Sequence, residues 1–226
     1  MKQNEQISVS NLKNVAETLL YPLISRYVET KKLDGVISDP KSVEIIDSLD
    51  YDVNKTKLFP ISQLGACFRT IIFDEAVNKF LKANPDGVVI NLGCGLDTRF
   101  PRIDNGQVTW FDLDLPETIA IRKHFFKETG NHRFIAKSAL DPSWADEVPK
   151  GKKTCIIMEG LSFYFTEEEN RRVLSIIKKN FPGAEFYMEA FHPLFIKLCS
   201  ITFSKDPLDK KASSLLKWGI KSGKKI

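Results

Sequence analysis

The amino-acid sequence predicts an α/β protein: a mainly parallel sheet with helices on both faces and a helical N-terminal extension. Three observations carry that prediction. Short apolar runs of strand length, from Val88 to about residue 190, alternate with helical patterns, as they do where crossover helices join parallel strands. The first run, Val88-Val89-Ile90-Asn91-Leu92, ends abruptly in Gly93-Cys94-Gly95. The second closes on carboxylates, Trp110-Phe111-Asp112-Leu113-Asp114. Strand, glycine turn, helix, strand, carboxylate is the layout of a nucleotide pocket at the mouth of a parallel sheet.

Each element follows from its local pattern. Over 11–32, Leu12, Val15, Leu19, Leu20, Leu23 and Tyr27 recur near helical spacing, and Pro22 is expected to kink or split that helix. Asp34-Gly35 and Asp39-Pro40 mark turns, followed by a short helix over 41–49. A helix from about Gln63 to Ala83 puts Ile72, Val77, Phe80 and Leu81 on its apolar side and stops at Asn84-Pro85-Asp86-Gly87. Strand 88–92, the turn and a short helix come next. Strand 107–113 leads to Leu115-Pro116, where proline suits the first turn of a helix reaching Thr129-Gly130. Residues 132–136 read as a third strand, and Thr154-Cys155-Ile156-Ile157-Met158 as a fourth, apolar enough to be buried on both faces. Thr166-Glu167-Glu168-Glu169 is a capping box. It opens a helix carrying Val173, Leu174, Ile176 and Ile177 that stops at Phe181-Pro182-Gly183. Residues 185–190 form a fifth strand. No repeat or low-complexity linker interrupts the chain. Residues 1–226 therefore read as one domain: a helical cap over 1–85, a binding core over 86–191 and a helical, Lys-rich tail over 192–226.

Composition narrows the class. The 226 residues are 42% hydrophobic and 27% charged, as in a soluble globular protein, and no apolar run approaches the roughly 20 residues of a membrane helix. The polar start, Met1-Lys2-Gln3-Asn4-Glu5-Gln6, has no apolar stretch behind it that would make a secretory signal. Cys67, Cys94, Cys155 and Cys199 are far apart and form no C-x-x-C pair, which fits reduced thiols and a cytoplasmic location. The net charge of +4 is local, with Lys205, Lys210, Lys211, Lys217, Lys221, Lys224 and Lys225 crowding the end of the chain. A solvated helix face explains that cluster. Aromatic residues do not alternate with the lysines, and no zinc motif appears, so neither nucleic acid nor a membrane is an expected partner.

The glycine turn is selective. A dinucleotide fingerprint has a third glycine that lets a helix approach beneath a pyrophosphate. Here the three positions are Gly93, Gly95 and Thr98, so the pyrophosphate seat is incomplete. Asp114, at the end of the next strand, can accept two hydrogen bonds from a ribose diol. Such a pocket suits a ligand built on a single nucleoside.

Taken in order, Asn91-Leu92-Gly93-Cys94-Gly95-Leu96-Asp97-Thr98-Arg99, Asp112-Leu113-Asp114-Leu115-Pro116, Leu140-Asp141-Pro142-Ser143-Trp144 and Glu159-Gly160-Leu161-Ser162-Phe163-Tyr164-Phe165 resemble the leucine carboxyl methyltransferase superfamily. The closer likeness is to its bacterial branch, the tetracenomycin-polyketide O-methyltransferase-like proteins. The likeness runs from about Thr18 to Phe191. It implies a class I methyltransferase, Rossmann-like fold, with S-adenosylmethionine as methyl donor and S-adenosylhomocysteine as product. It also implies roles for particular residues. Arg69 would grip the donor's carboxylate, with Arg26 as a looser second contact. Gly93 and Gly95 would lie beside its methionine and ribose parts. Asp114 would hold the ribose, with Asp112 as the alternative on the same strand face. Ser138 and Ala139 would flank the adenine, and Glu159 would sit beside the donor. These types make chemical sense: an arginine offers a charged planar fork to a carboxylate, and Glu159 favours the cationic end. Asp97 is either a donor contact or the cap of the following helix.

The expected reaction is O-methylation of a small molecule, with a polyketide-like or carboxylate acceptor. A carboxylate acceptor needs no general base, whereas a phenol or alcohol can. His192 and Tyr164 are the candidates for such a role, and no metal cluster is visible. His124 reads as structural and His132 as an exposed residue opening a strand. Three alternatives stand beside this reading: a methyltransferase for a protein C-terminal carboxylate, a nucleotide-dependent oxidoreductase, and a donor-binding but catalytically silent interaction protein. Thr98 in place of glycine argues against the oxidoreductase. Only 36 residues follow position 190, so the antiparallel hairpin that usually ends this sheet is expected to be missing. The exposed sheet edge would favour a homodimer or lower stability.

Overall fold

The structure is a computed structural model that describes residues 7–8, 16–53, 60–202 and 216–221. Two short strands, β1 (Ile7–Ser8) and β2 (Leu49–Asp50), pair in parallel beside three helices, α1 (Ala16–Thr30), α2 (Pro40–Ser48) and α3 (Pro60–Ala83). The remainder alternates: β3 (Val88–Leu92), α4 (Arg99–Ile103), β4 (Thr109–Asp114), α5 (Pro116–Phe125), β5 (His132–Ala136), β6 (Thr154–Met158), α6 (Glu167–Asn180), β7 (Glu185–Met188) and α7 (Pro193–Thr202). Residues 11–15 of the first expected helix and most of the lysine tail lie outside the described residues.

Strands β3 to β7 form a five-stranded sheet in the order β5-β4-β3-β6-β7, and every neighbouring pair is parallel. The chain starts in the middle, moves outward to β5, then crosses to β6 and β7 on the other side. The reversal falls between β3 and β6, where open α/β sheets bind ligands at the carboxyl ends of their strands. Both central strands are buried at every position, as their unbroken apolar runs predict. Side chains alternate between two layers. Val88, Ile90, Leu92, Ile156 and Met158 meet α6 through Val173, Ile176 and Ile177. Val89, Cys155 and Ile157 meet α3 through Phe73, Val77 and Phe80. A third cluster joins α1 and α2 to the glycine turn: Leu20, Leu23, Ile24, Ile45 and Ile46 surround Leu96 and Phe126.

Several elements differ from the sequence reading. Helix α1 runs unbroken through Pro22. Helix α5 ends at Phe125 rather than near Gly130, because Phe126 turns extended (φ −128°, ψ 148°) and buries its ring. Pairing of β1 with β2 had no visible pattern, since each strand is two residues long. The capping box is present in full, with Thr166 accepting from Glu169 N and the Glu169 carboxylate accepting from Thr166 N. Among the described residues β7 is the edge strand on that side of the sheet.

Candidate functional site

A cleft of about 510 Å³ opens at the reversal point. Its floor is Asn91 and Gly93 to Asp97 from the end of β3, and one wall is Glu159 and Gly160 from the end of β6. Leu19, Pro22 and Arg26 of α1 and Arg69 of α3 complete it. Gly93 (φ +70°) and Gly95 (φ +48°) both occupy the left-handed region, where a side chain would be strained. A Cβ would also crowd neighbouring side chains: on Gly93 it would meet Leu161 Cδ2 at 2.8 Å, and on Gly95 Leu19 Cδ2 at 2.7 Å, so those leucines would have to move. The glycines thus let Leu161 and α1 close down on the turn.

An ionic chain reaches the cleft lining at Arg26, Arg69, Asp97 and Glu159. Arg69 donates from Nε to Glu159 (2.7 Å) and from Nη1 to Glu189 (3.1 Å). Arg99 reaches Glu159 from Nη2 (2.5 Å), Asp97 from Nη1 (2.5 Å) and Asp74 from Nε (2.6 Å). Arg102 joins Asp74 to Asp39, and Arg26 donates to Asp39 at 2.8 Å. Burial pushes the Asp97 carboxyl up, but the charges of Arg99, Arg102, Arg26 and Arg122 outweigh it and bring its pKa to about 2. Burial likewise raises Glu159, and Arg99 and Arg69 overcome it, so its pKa lies below the ordinary glutamate value. Glu189 is different: burial dominates, Glu159 adds repulsion, and its pKa is raised despite Arg69.

Of the residues singled out by sequence, Arg26, Arg69, Gly93, Gly95, Asp97 and Glu159 line the cleft together. Asp97 lines the cleft and its Oδ1 accepts from Arg99 N, but the N-cap of α4 is Thr98, which makes no side-chain capping bond. Asp114 is not among the residues that line the cleft; it accepts from Gly95 N (2.8 Å), which does line it, and from Leu115 N (2.7 Å). Burial raises its pKa against those bonds. Ser138 is half-buried beyond β5, and Ala139 is buried in the core with its carbonyl accepting from Trp144 Nε1. Neither lines this cleft. Asp112 shares a strand face with Asp114, yet it is fully buried and holds Arg122, His132, Trp110 and Asn91, leaving no edge for a ribose. That corrects its reading as an alternative ribose acid. His132 is corrected too: it is 2% exposed, not on the surface, because its ring packs on Phe100 and reaches Asp112.

The two base candidates are not equivalent. His192 is exposed at the entry of α7, where Nδ1 accepts from Leu194 N. Tyr164 is half-buried, and burial raises its phenol pKa while Arg69 opposes the shift. His124 is exposed on α5. Sequence reasoning missed Asp74, Arg99, Glu189 and Arg122 as parts of the site. Two of them left a signal: Arg99 closes the glycine-turn motif, and Arg122 falls at helical spacing from Ile119 on the buried face of α5.

A model of the family described as leucine carboxyl methyltransferase matches residues 22–178. The tetracenomycin polyketide synthesis O-methyltransferase TcmP of Streptomyces glaucescens is 29% identical over 210 residues, covering 92% of this chain and 76% of that protein. The S-adenosyl-L-methionine-dependent methyltransferase dpfgK of Gibberella zeae is 26% identical over 187 residues, covering 74% of this chain and 61% of that protein. A solved S-adenosylmethionine-dependent methyltransferase from Anabaena variabilis superposes with a TM-score of 0.48 at 13% identity, covering 62% of this chain and 61% of that one.

Proposed function

The chain belongs to the leucine carboxyl methyltransferase family, and on that premise we propose that the cleft between β3 and β6 holds S-adenosylmethionine for transfer of its methyl group to an oxygen of a small acidic acceptor. The protein is an S-adenosylmethionine-dependent methyltransferase, with S-adenosylhomocysteine as product. The observation that supports the site is its charge pattern. The donor is a zwitterion with a further sulfonium charge. The cleft offers it one guanidinium edge and two carboxylates that stay ionised at neutral pH, Asp97 and Glu159. Arg69 uses Nε and Nη1 on Glu159 and Glu189, which leaves its Nη2 edge for the donor's carboxylate. Leu19, Pro22 and Leu96 supply the apolar remainder.

When bound, the donor supplies the electrophilic methyl carbon, and transfer to the acceptor oxygen leaves a neutral thioether. The chain's residues have three tasks. Arg69, with Arg26 behind it, orients the amino-acid end. Asp114 and the glycine turn fix the ribose; Ser138 and Ala139, which the resemblance gives to the adenine, lie beyond β5 and outside the lining of this cleft. Leu19 and Pro22 of α1 keep water from the turn, which strengthens the charge contacts inside. The acceptor that suits this arrangement arrives already ionised, as a carboxylate or an acidic phenol of polyketide type. His192 has Nδ1 engaged in capping α7, and Tyr164 is pushed towards its neutral form. The reading keeps residues 1–226 as a single domain in the cytoplasm, acting on a small molecule.

Titration calorimetry tests the donor first. S-adenosylmethionine and S-adenosylhomocysteine are expected to bind, and NAD is not; absence of heat with both sulfur nucleosides refutes the site. Methyl transfer to a panel of aromatic carboxylic acids and phenols then tests the acceptor class.

A further inference from the structure

We propose that Arg122, fixed in place by Asp112 and His132, is the positioning residue of the donor turn, so that affinity for the adenosine half of the donor depends on a side chain buried beneath the cleft. The inference rests on the donor reading above and adds a residue that the resemblance does not supply.

The contacts are specific to the turn. Arg122 stands on α5 and is fully buried. One nitrogen, Nη1, donates to two turn carbonyls, Gly95 O at 3.0 Å and Asp97 O at 2.8 Å. The other, Nη2, donates to Asp112 Oδ2 at 2.6 Å. His132 Nε2 lies 2.6 Å from the same oxygen, while Trp110 Nε1 and Asn91 Nδ2 donate to Oδ1 at 2.9 and 3.2 Å. Asn91 Nδ2 also reaches Asp97 Oδ2 at 3.0 Å, which ties the far end of the turn to the same node. Gly95 is therefore pinned from both sides. Its carbonyl is held by Arg122, and its N–H donates to Asp114, the carboxylate assigned to the ribose.

Fold stability alone gives no reason for a charge here. A buried arginine–aspartate pair roughly breaks even against apolar replacement, and Phe126 and Phe134 already flank the guanidinium, with Cζ 4.1 Å above the Phe126 ring. Arg122 Nε makes no hydrogen bond among the described residues, a cost that an apolar residue would avoid. What the guanidinium achieves is to hold two carbonyls of a left-handed turn at a set distance from the strand-end acid. Lysine would keep the charge but not the fork that reaches Gly95, Asp97 and Asp112 together.

The test uses calorimetry with S-adenosylhomocysteine and with 5′-methylthioadenosine, which carries the adenosine half without the amino-acid chain. Arg122→Lys is expected to weaken both ligands by roughly tenfold, the loss of about one charge-assisted hydrogen bond. Amide exchange should speed up in residues 93–98 while β6 and β7 keep wild-type rates. A purely structural arginine predicts the opposite: folded protein with wild-type affinity, or faster exchange through the whole sheet, and either result overturns the proposal. If Arg122→Lys does not fold, a pair at His132 decides. His132→Leu should weaken S-adenosylhomocysteine, and His132→Gln, which keeps a donor for Asp112, should restore it; equal behaviour of the pair overturns the proposal. A wild-type chain that binds neither ligand refutes the donor site itself. A wild type that binds alongside an unaffected Arg122→Lys refutes this inference alone.

Discussion

Beneath the glycine turn, Asp112 and Arg122 are both fully buried, and each makes all its charged contacts with one fixed set of partners. Across the cleft, Arg69, Glu159 and Glu189 keep 21, 11 and 12% of their side chains exposed, and one guanidinium is shared between two carboxylates. The first region matches charge to charge, although Arg122 Nε makes no hydrogen bond among the described residues. The second is over-supplied with acid and keeps an open edge. The charges that set backbone geometry are closed off from solvent, whereas those proposed to meet a ligand stay partly open to it.

The sharpest way to break that contrast is at Asp112. Asp112→Ala leaves Arg122 charged, buried and unpaired, for which the expected loss of stability is about 3–5 kcal/mol. Chemical denaturation measures it. A loss below about 1 kcal/mol would mean that the lower node is as tolerant as a surface pair, and the distinction would fall.

The cleft side should respond in the reverse sense. Arg69→Ala and Asp114→Ala are each expected to weaken donor binding by roughly 1–3 kcal/mol, the range for charge-assisted hydrogen bonds. The cost in fold stability should be small, because Glu159 retains Arg99 and Asp114 is raised towards its neutral form. Calorimetry and thermal melts on the same samples separate the two effects. Unchanged affinity in a folded variant removes that residue from the site.

The same contrast explains what could be read from the sequence. All five strands of the main sheet, the capping box and the glycine turn were legible, because each rests on period, composition or backbone restriction within a few residues. So were six cleft residues, through motif position. The lower node was not. Asp112 and Asp114 lie two residues apart on the same face of one strand. Only the arrival of Arg122 from α5 and His132 from β5 separates a structural carboxylate from an available one. His132 looked exposed because it opens a polar strand start, and its burial depends on Phe100 of α4 stacking at 4.0 Å. Glu189 lies beyond the motifs and enters the site only because β7 packs against β6.

The smallest expected effect is in the pH dependence of stability, where two sets of carboxylates pull in opposite directions. Asp97, Asp112 and Glu159 have lowered pKa values in the folded protein. Such groups stabilise the fold above their ordinary values and lose that contribution as they take protons, for Asp97 between about 3.8 and about 2. Glu189 and Asp114 are raised, so the folded form binds a proton before the unfolded chain does. Their protonation favours folding as the pH drops from neutral towards the ordinary glutamate value of 4.5. Melting temperature should therefore hold level or rise slightly in mild acid and fall once the pH passes below about 4, where carboxylates of the first kind are discharged. Glu189→Gln should flatten the mild-acid part and leave the acid fall in place. Asp97→Asn should shift the fall and leave the mild-acid part unchanged. If Glu189→Gln instead alters the acid fall, Glu189 is held ionised by Arg69 like Glu159, and the open side of the cleft is as tightly matched as the closed one.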